Sequence, residues 1–179
     1  MKLLSVLLPA CLLTAALLPS PAAAMPELVI LVRHAERAAA PAGDPALTPA
    51  GEQRAQALAQ ALAGLRVNTI LTTKFRRTRD TAAPLAQALG LQPKVVDAGG
   101  AAHVQAVVDA VRAETGVVLV VGHSNTIPAV IAGLGGPQLA ELCETSFHHA
   151  FLLQLGTQPP RWAQFSYGAP SGAPQAGCL

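Results

Sequence analysis

The chain has 179 residues, with 12 Lys and Arg against 10 Asp and Glu, and a formal net charge of +2. So small a basic surplus, with only 3% aromatic residues, speaks against a nucleic-acid binder, which needs a basic face and stacking groups. The 51% hydrophobic share comes partly from alanine and partly from one N-terminal stretch, so it does not imply a membrane protein.

Residues 1–24 read as a secretory signal peptide. Lys2 supplies a positive start, residues 3–18 are apolar except for Ser5 and Thr14, and Ala22-Ala23-Ala24 offers a small-residue cleavage site. The apolar stretch is shorter than the roughly 20 residues of a spanning helix. Leu8-Pro9-Ala10-Cys11 loosely resembles a lipidation motif, but leucines continue after Cys11. The expectation is an exported bacterial protein, periplasmic or secreted, with no membrane insertion after cleavage. Removing 24 of the 179 residues leaves 155, and losing Lys2 lowers the net charge to +1. That is one domain with room for a real core. Cys143 and Cys178 would either pair in an oxidising compartment or stay as two thiols.

The first element is a strand over residues 27–32, short, apolar and rich in β-branched residues. It runs into Arg33-His34-Ala35-Glu36. A Pro- and Gly-bearing loop covers 37–47. Thr48-Pro49 then opens a helix, Thr as N-cap and Pro at the first position, with Leu58, Leu62 and Leu65 along one face. Residues 68–72 form a second strand. A helix follows over 76–89, closed by Gly90. Residues 94–96 form a third strand, and Val104, Val107, Val108 and Val111 repeat at helical spacing. Residues 117–121 are an unbroken β-branched and leucine run, the best central strand. A helix over 127–134, a turn at Gly135-Gly136 and late strands over 150–155 and 162–165 complete the domain at residues 25–167. Residues 168–179 read as a flexible tail. Strands alternating with helices predict an α/β fold in three layers, α/β/α, with a mostly parallel sheet.

Three strand ends carry polar residues that apolar packing does not explain. The first holds Arg33 and His34. The second leads through Thr72-Thr73-Lys74-Phe75 to Arg76-Arg77-Thr78-Arg79-Asp80-Thr81-Ala82. The strand at 117–121 runs into Gly122-His123-Ser124-Asn125-Thr126. In a parallel sheet these ends gather on one edge, where ligands bind. Arginines there provide planar paired donors for a phosphate dianion. A neutral histidine can form a covalent phosphoryl intermediate, and a second can donate to the phosphoryl oxygens. No metal or cofactor is required.

In motif order the chain resembles the histidine phosphatase superfamily, the phosphoglycerate-mutase-like fold. Arg33-His34 matches that family's phosphate-binding arginine and nucleophilic histidine. Arg77-Thr78-Arg79-Asp80-Thr81-Ala82 matches its Arg-Thr-x-x-Thr-Ala element, which makes Arg77 the second arginine. Gly122-His123 matches the late Gly-His pair, and Leu47-Thr48-Pro49-Ala50-Gly51 the Leu-Thr-x-x-Gly before the first helix. The resemblance implies a metal-independent phosphatase acting on a small phosphorylated substrate or a phosphoprotein. Catalysis falls to His34 and His123, phosphate binding to Arg33, Arg77 and His123. Many relatives add an acidic residue that protonates the leaving alcohol. The segment that would carry it is short here, so Asp97 is the first candidate, before Asp44 and Glu36. The small bacterial phosphohistidine phosphatases of this superfamily are trimmed in the same region, which keeps phosphoramidates open as substrates.

The bland readings are a satisfied core histidine at His34, a surface charge pair at Glu36-Arg37, a surface helix residue at His103 and a strand entry at His148-His149. Lys74, Arg76 and Arg79 read as solvated or substrate-receiving. A metal site lacks ligand spacing. Two functional rivals remain. One is a phosphate-binding relative without turnover. The other is a serine hydrolase at Ser124, where Gly122-His123-Ser124-Asn125-Thr126 nearly matches the nucleophile elbow but ends on threonine.

Overall fold

The computed structural model describes residues 25–97, 100, 102–172 and 175–179. Residues 1–24, expected to be a signal peptide, lie outside the described residues. The elements follow the expected order: β1 Pro26–Arg33, α1 Pro49–Ala61, β2 Val67–Thr72, α2 Arg76–Leu89, β3 Lys94–Val95, α3 His103–Arg112, β4 Gly116–Gly122, α4 Thr126–Gly133, β5 His149–Gln154 and β6 Arg161–Ser166.

The six strands form one sheet in the order β3-β2-β4-β1-β5-β6. The pairs β3–β2, β2–β4 and β4–β1 are parallel, whereas β1–β5 and β5–β6 are antiparallel. The sheet is therefore mixed, with its parallel part where the polar strand ends lie. β4 sits between β2 and β1, as its unbroken apolar run requires.

The alternation of side chains along each strand divides the core in two. On one face Ile30, Val32, Ile70, Leu119 and Val121 pack with Leu58 and Leu62 of the α1 region and Ala82, Leu85 and Ala86 of α2. On the other, Val29, Leu31, Val118 and Val120 pack with Val107, Val108 and Val111 of α3 and Ile127, Val130 and Ile131 of α4. Three layers result. The chain leaves β1 for a helix on the first face and β4 for a helix on the second. The crevice of an open α/β sheet forms at such a switch point, outside the carboxyl ends of the strands.

Local signals set the ends of the elements. Thr48 Oγ1 accepts a hydrogen bond from Gly51 N at 3.1 Å, and Pro49 begins α1. Gly51 is required: a Cβ there would lie 2.2 Å from the carbonyl oxygen of Glu36, so the first turn of α1 can pack against the segment just after β1. Gly90 ends α2 in the left-handed region at φ 66°.

The segment read as a flexible tail is tied back at its end. Cys178 is disulfide-bonded to Cys143. Leu179 N donates to Glu141 O at 2.9 Å, and Leu179 O accepts from Cys143 N at 2.6 Å. No helix among the described residues is long and apolar enough to cross a membrane.

Candidate active site

Strand register assembles the site. β1 and β4 are in parallel register, Val32 beside Val121 and Arg33 beside Gly122. One step further, His34 N donates to Gly122 O at 2.9 Å. His34 and His123 therefore emerge side by side, their ring centroids 5.4 Å apart in an edge-on arrangement. β2 delivers Thr73 next to His123, and the first turn of α2 delivers Arg77. A cleft of about 570 Å³ is lined by Arg33, His34, Arg77 and His123, together with Arg37, Phe75, His103, Ser124 and Glu144.

His34 is 4% exposed. Its Nδ1 lies 2.8 Å from Ala35 O. A carbonyl oxygen only accepts, so Nδ1 carries the proton and Nε2 keeps its lone pair. Burial first, then the charges of Arg33, His123 and Arg77, push the His34 pKa down to about 3, although the Ala35 contact acts the other way. The ring is neutral at physiological pH, as a nitrogen nucleophile must be. His123 is pushed down to about 4, again chiefly by burial and then by Arg77. Its Nε2 lies 3.2 Å from Thr73 Oγ1 and its Nδ1 3.4 Å from Arg77 Nη2. Arginine only donates, so the neutral ring holds its proton on Nε2, toward Thr73.

The two arginines are held differently. Arg33 is 3% exposed. Its Nη1 donates to Cys143 O at 2.7 Å and Ser146 O at 3.2 Å, and its Nη2 to Glu144 at 2.9 Å. The guanidinium lies over the Phe147 ring, 4.2 Å from its centroid. Arg77 stacks on Phe75 at 4.1 Å, and apart from the long contact to His123 it is available to an anion. Burial foremost lowers the pKa of both arginines, a sign of positive charge held in a poorly solvated place.

The three acid candidates are elsewhere. Asp97 leaves the short edge strand β3, its exposed carboxylate 3.1 Å from Lys74 Nζ, and it does not line the cleft. β3 is separated from β1 by β2 and β4. Three strand spacings amount to roughly 14 Å, although His103, which binds the Asp97 carbonyl, does line the cleft. Asp44 accepts from Arg76 N at 2.6 Å, closing the N-terminus of α2. Glu36 is clamped by Arg54, with contacts of 2.7 to 3.0 Å. The surface pair expected of Glu36 and Arg37 is thus replaced: Glu36 turns inward and Arg37 lines the cleft. His103, read as a surface residue, is buried, donates to the Asp97 carbonyl and also lines the cleft. Arg76 pairs with Asp80 at 3.1 Å, and Arg79 is exposed. The serine-hydrolase reading finds no Ser–His pair: Ser124 donates to Glu144 at 2.7 Å, while both His123 nitrogens face Thr73 and Arg77. Among the described residues no group of three or more His, Cys, Asp or Glu could hold a metal ion.

Two residues escaped the sequence reading altogether. Glu144 and Phe147 belong to the irregular segment between α4 and β5. No periodicity marks them. The available signal was the neighbouring Cys143, whose pairing with the chain end would have flagged this loop as held in place.

The arrangement is similar to that of the histidine phosphatase superfamily. The family model of the histidine phosphatase superfamily (branch 1) matches residues 29–99, and the resemblance holds for sequence motif and fold together. Among solved structures, SixA from Agrobacterium tumefaciens, described as a candidate phosphohistidine phosphatase, is 24% identical with a TM-score of 0.59 and pairs 82% of this chain with 100% of that one. The protein histidine phosphatase SixA complexed with tungstate is 20% identical over 78% of this chain and 96% of that chain, at a TM-score of 0.56. A mycobacterial glucosyl-3-phosphoglycerate phosphatase is 18% identical over 80% and 99%, at 0.55. No curated protein matches.

Proposed function

We propose that the chain is an exported phosphatase that works without a metal, through a phosphohistidine on His34. The observation that carries this reading is the Nδ1 contact to Ala35 O, which leaves Nε2 of a neutral, buried imidazole as the reactive atom. Arg33, Arg77 and His123 beside it supply the positive charge and donors that a transferring phosphoryl group needs.

A dianion in the cleft takes the place of the long Arg77–His123 contact. It also raises the proton affinity of His123. As an imidazolium, His123 donates from both nitrogens, one to Thr73 and the other to a phosphoryl oxygen. His34 attacks phosphorus opposite the leaving group, and water then releases phosphate from the phosphohistidine. The matched family and the phosphatases among the structural relatives support hydrolysis of phosphate monoesters or phosphoramidates. Export is supported by the character of residues 1–24 and by the Cys143–Cys178 bond, which persists in oxidising compartments.

The test is hydrolysis of an aryl phosphate in excess chelator by the purified protein and by His34→Ala. Turnover by the parent and none by the variant is expected. Turnover that survives in His34→Ala, or that needs added metal, contradicts the reading. The rival reading, a phosphate-binding relative without turnover, is favoured by the absence of Asp97, Asp44 and Glu36 from the cleft. It predicts phosphate binding with no hydrolysis.

A further inference from the structure

A carboxylate does reach the cleft. Glu144 lines it beside Arg33, His34, Arg37, Arg77 and His123, and no other aspartate or glutamate among the described residues does. Its Oε2 sits 2.9 Å from Arg33 Nη2, and its Oε1 accepts from Ser124 Oγ at 2.7 Å. The side chain is 76% exposed. With its carboxylate so open to solvent, the pair adds little to stability. Its backbone, in contrast, is firmly placed: Cys143 O accepts from Arg33, Ser146 O does too, and the disulfide at Cys143 anchors the loop to the chain end.

We propose that Glu144 is the proton donor to the leaving group, a catalytic residue that rests on the phosphatase reading above. The phosphoryl group lies deep in the cleft against Arg33, Arg77 and the two histidines. Its ester oxygen then points to the mouth, where an exposed, hydroxyl-oriented carboxyl group is within reach. In the structure the Ser124 hydrogen bond foremost, and the charge of Arg33, hold the Glu144 pKa below the usual carboxylate range. A phosphoryl group that takes over Arg33 Nη2 removes one of these influences and puts negative charge beside the carboxylate, which favours its protonated form.

The Nε2 lone pair of His34 forms the N–P bond as the P–O bond to the leaving group breaks. The departing oxygen keeps that pair and takes the proton of Glu144. In the second half, water attacks phosphorus, the N–P pair returns to Nε2, and Glu144 recovers a proton from the water. The sum is ester plus water to alcohol plus phosphate.

The decisive experiment is a leaving-group series, from alkyl to nitrophenyl phosphates, on the parent and on Glu144→Gln, with Glu144→Asp as the conservative control. Glutamine keeps the shape and the Ser124 contact but has no proton to give. The expected loss in kcat is roughly hundredfold on alkyl phosphates and at least tenfold smaller on nitrophenyl phosphates, so the dependence on leaving-group basicity steepens. Glu144→Asp should recover part of the alkyl rate. An equal change across the series overturns the proposal and leaves the phosphatase reading standing. So does a rise in rate with tighter inhibition by inorganic phosphate, the behaviour of a carboxylate that merely occupies Arg33. Absence of both turnover and phospho-His34 in the parent overturns the phosphatase reading and this proposal together.

Discussion

Two arginine–glutamate pairs flank the segment after β1, and they do opposite things. Arg54 and Glu36 lock α1 to that segment. The arginine is 4% exposed, its Nε and Nη2 grip the carboxylate at 2.7 to 3.0 Å, and Nη1 reaches Tyr167 O at 3.1 Å. Nothing in that pair faces the cleft. Arg33 is as deeply buried, but its carboxylate partner is exposed and lines the cleft. A buried arginine is thus no mark of a binding site. The distinguishing feature is a partner that substrate can displace.

The comparison breaks most sharply under substitution of the arginines. Arg33→Met should lower kcat/KM about a thousandfold, some 4 kcal/mol of transition-state stabilisation. Arg54→Met should instead cost about 3 kcal/mol of stability by leaving Glu36 unpaired in a half-buried place, with kcat on an aryl phosphate nearly unchanged at a temperature where the variant is folded. Chemical denaturation and steady-state kinetics on both variants check this. If Arg54→Met lost activity without losing stability, the division between the pairs would be wrong.

The disulfide sharpens the same contrast. Cys178→Ser, or reduction of the parent, should lower stability by about 2–4 kcal/mol and raise KM for phosphate esters, because the released loop carries the carbonyls that orient Arg33. The Arg54–Glu36 pair does not depend on that loop. Thermal melting with and without reductant, paired with KM, is the measurement. An unchanged KM would separate the tail from the site.

Another effect concerns protons. His34 and His123 are held at about 3 and about 4 in the fold, against about 6.5 for a free histidine. The unfolded chain therefore binds more protons than the native protein between those limits, and stability rises with pH across that window. It is complete above about pH 6.5 and lost as pH falls toward 4 and 3. Imidazole resonances of both residues should stay neutral at pH 5 by NMR. Titration near 6.5 would contradict the burial argument. The smallest change is Thr48→Ala, which removes the cap on α1 and should cost about 1 kcal/mol with no effect on kcat.

The sequence was legible where a local rule governs position. Periodicity and end signals placed α2 over the observed Arg76–Leu89, and the unbroken apolar run identified β4 as central. Because parallel strand ends share one edge, Arg33, His34, Arg77 and His123 could be gathered from the sequence. The same reasoning pointed to Asp97, which does not line the cleft. It stands at a strand end, but sheet order decides which ends are neighbours, and a strand of two residues gives no sign of lying at the edge. The antiparallel pairing of β5 and β6 was hidden for a similar reason, since strand direction is set by connection geometry. Glu144 was invisible because the chain end brings it to the site through Cys143, and the sequence left that pairing open.

The most direct measurement is a search for phospho-His34. The purified protein would be mixed with a phosphoramidate, quenched in alkali, where phosphohistidine survives, and mapped by peptide mass spectrometry. A phosphoryl group is expected on His34 of the parent, absent from His34→Ala and more abundant when breakdown of the intermediate is slowed in Glu144→Gln. Turnover with no phosphoryl group on His34, or with the group on another residue, would contradict the phosphohistidine reading.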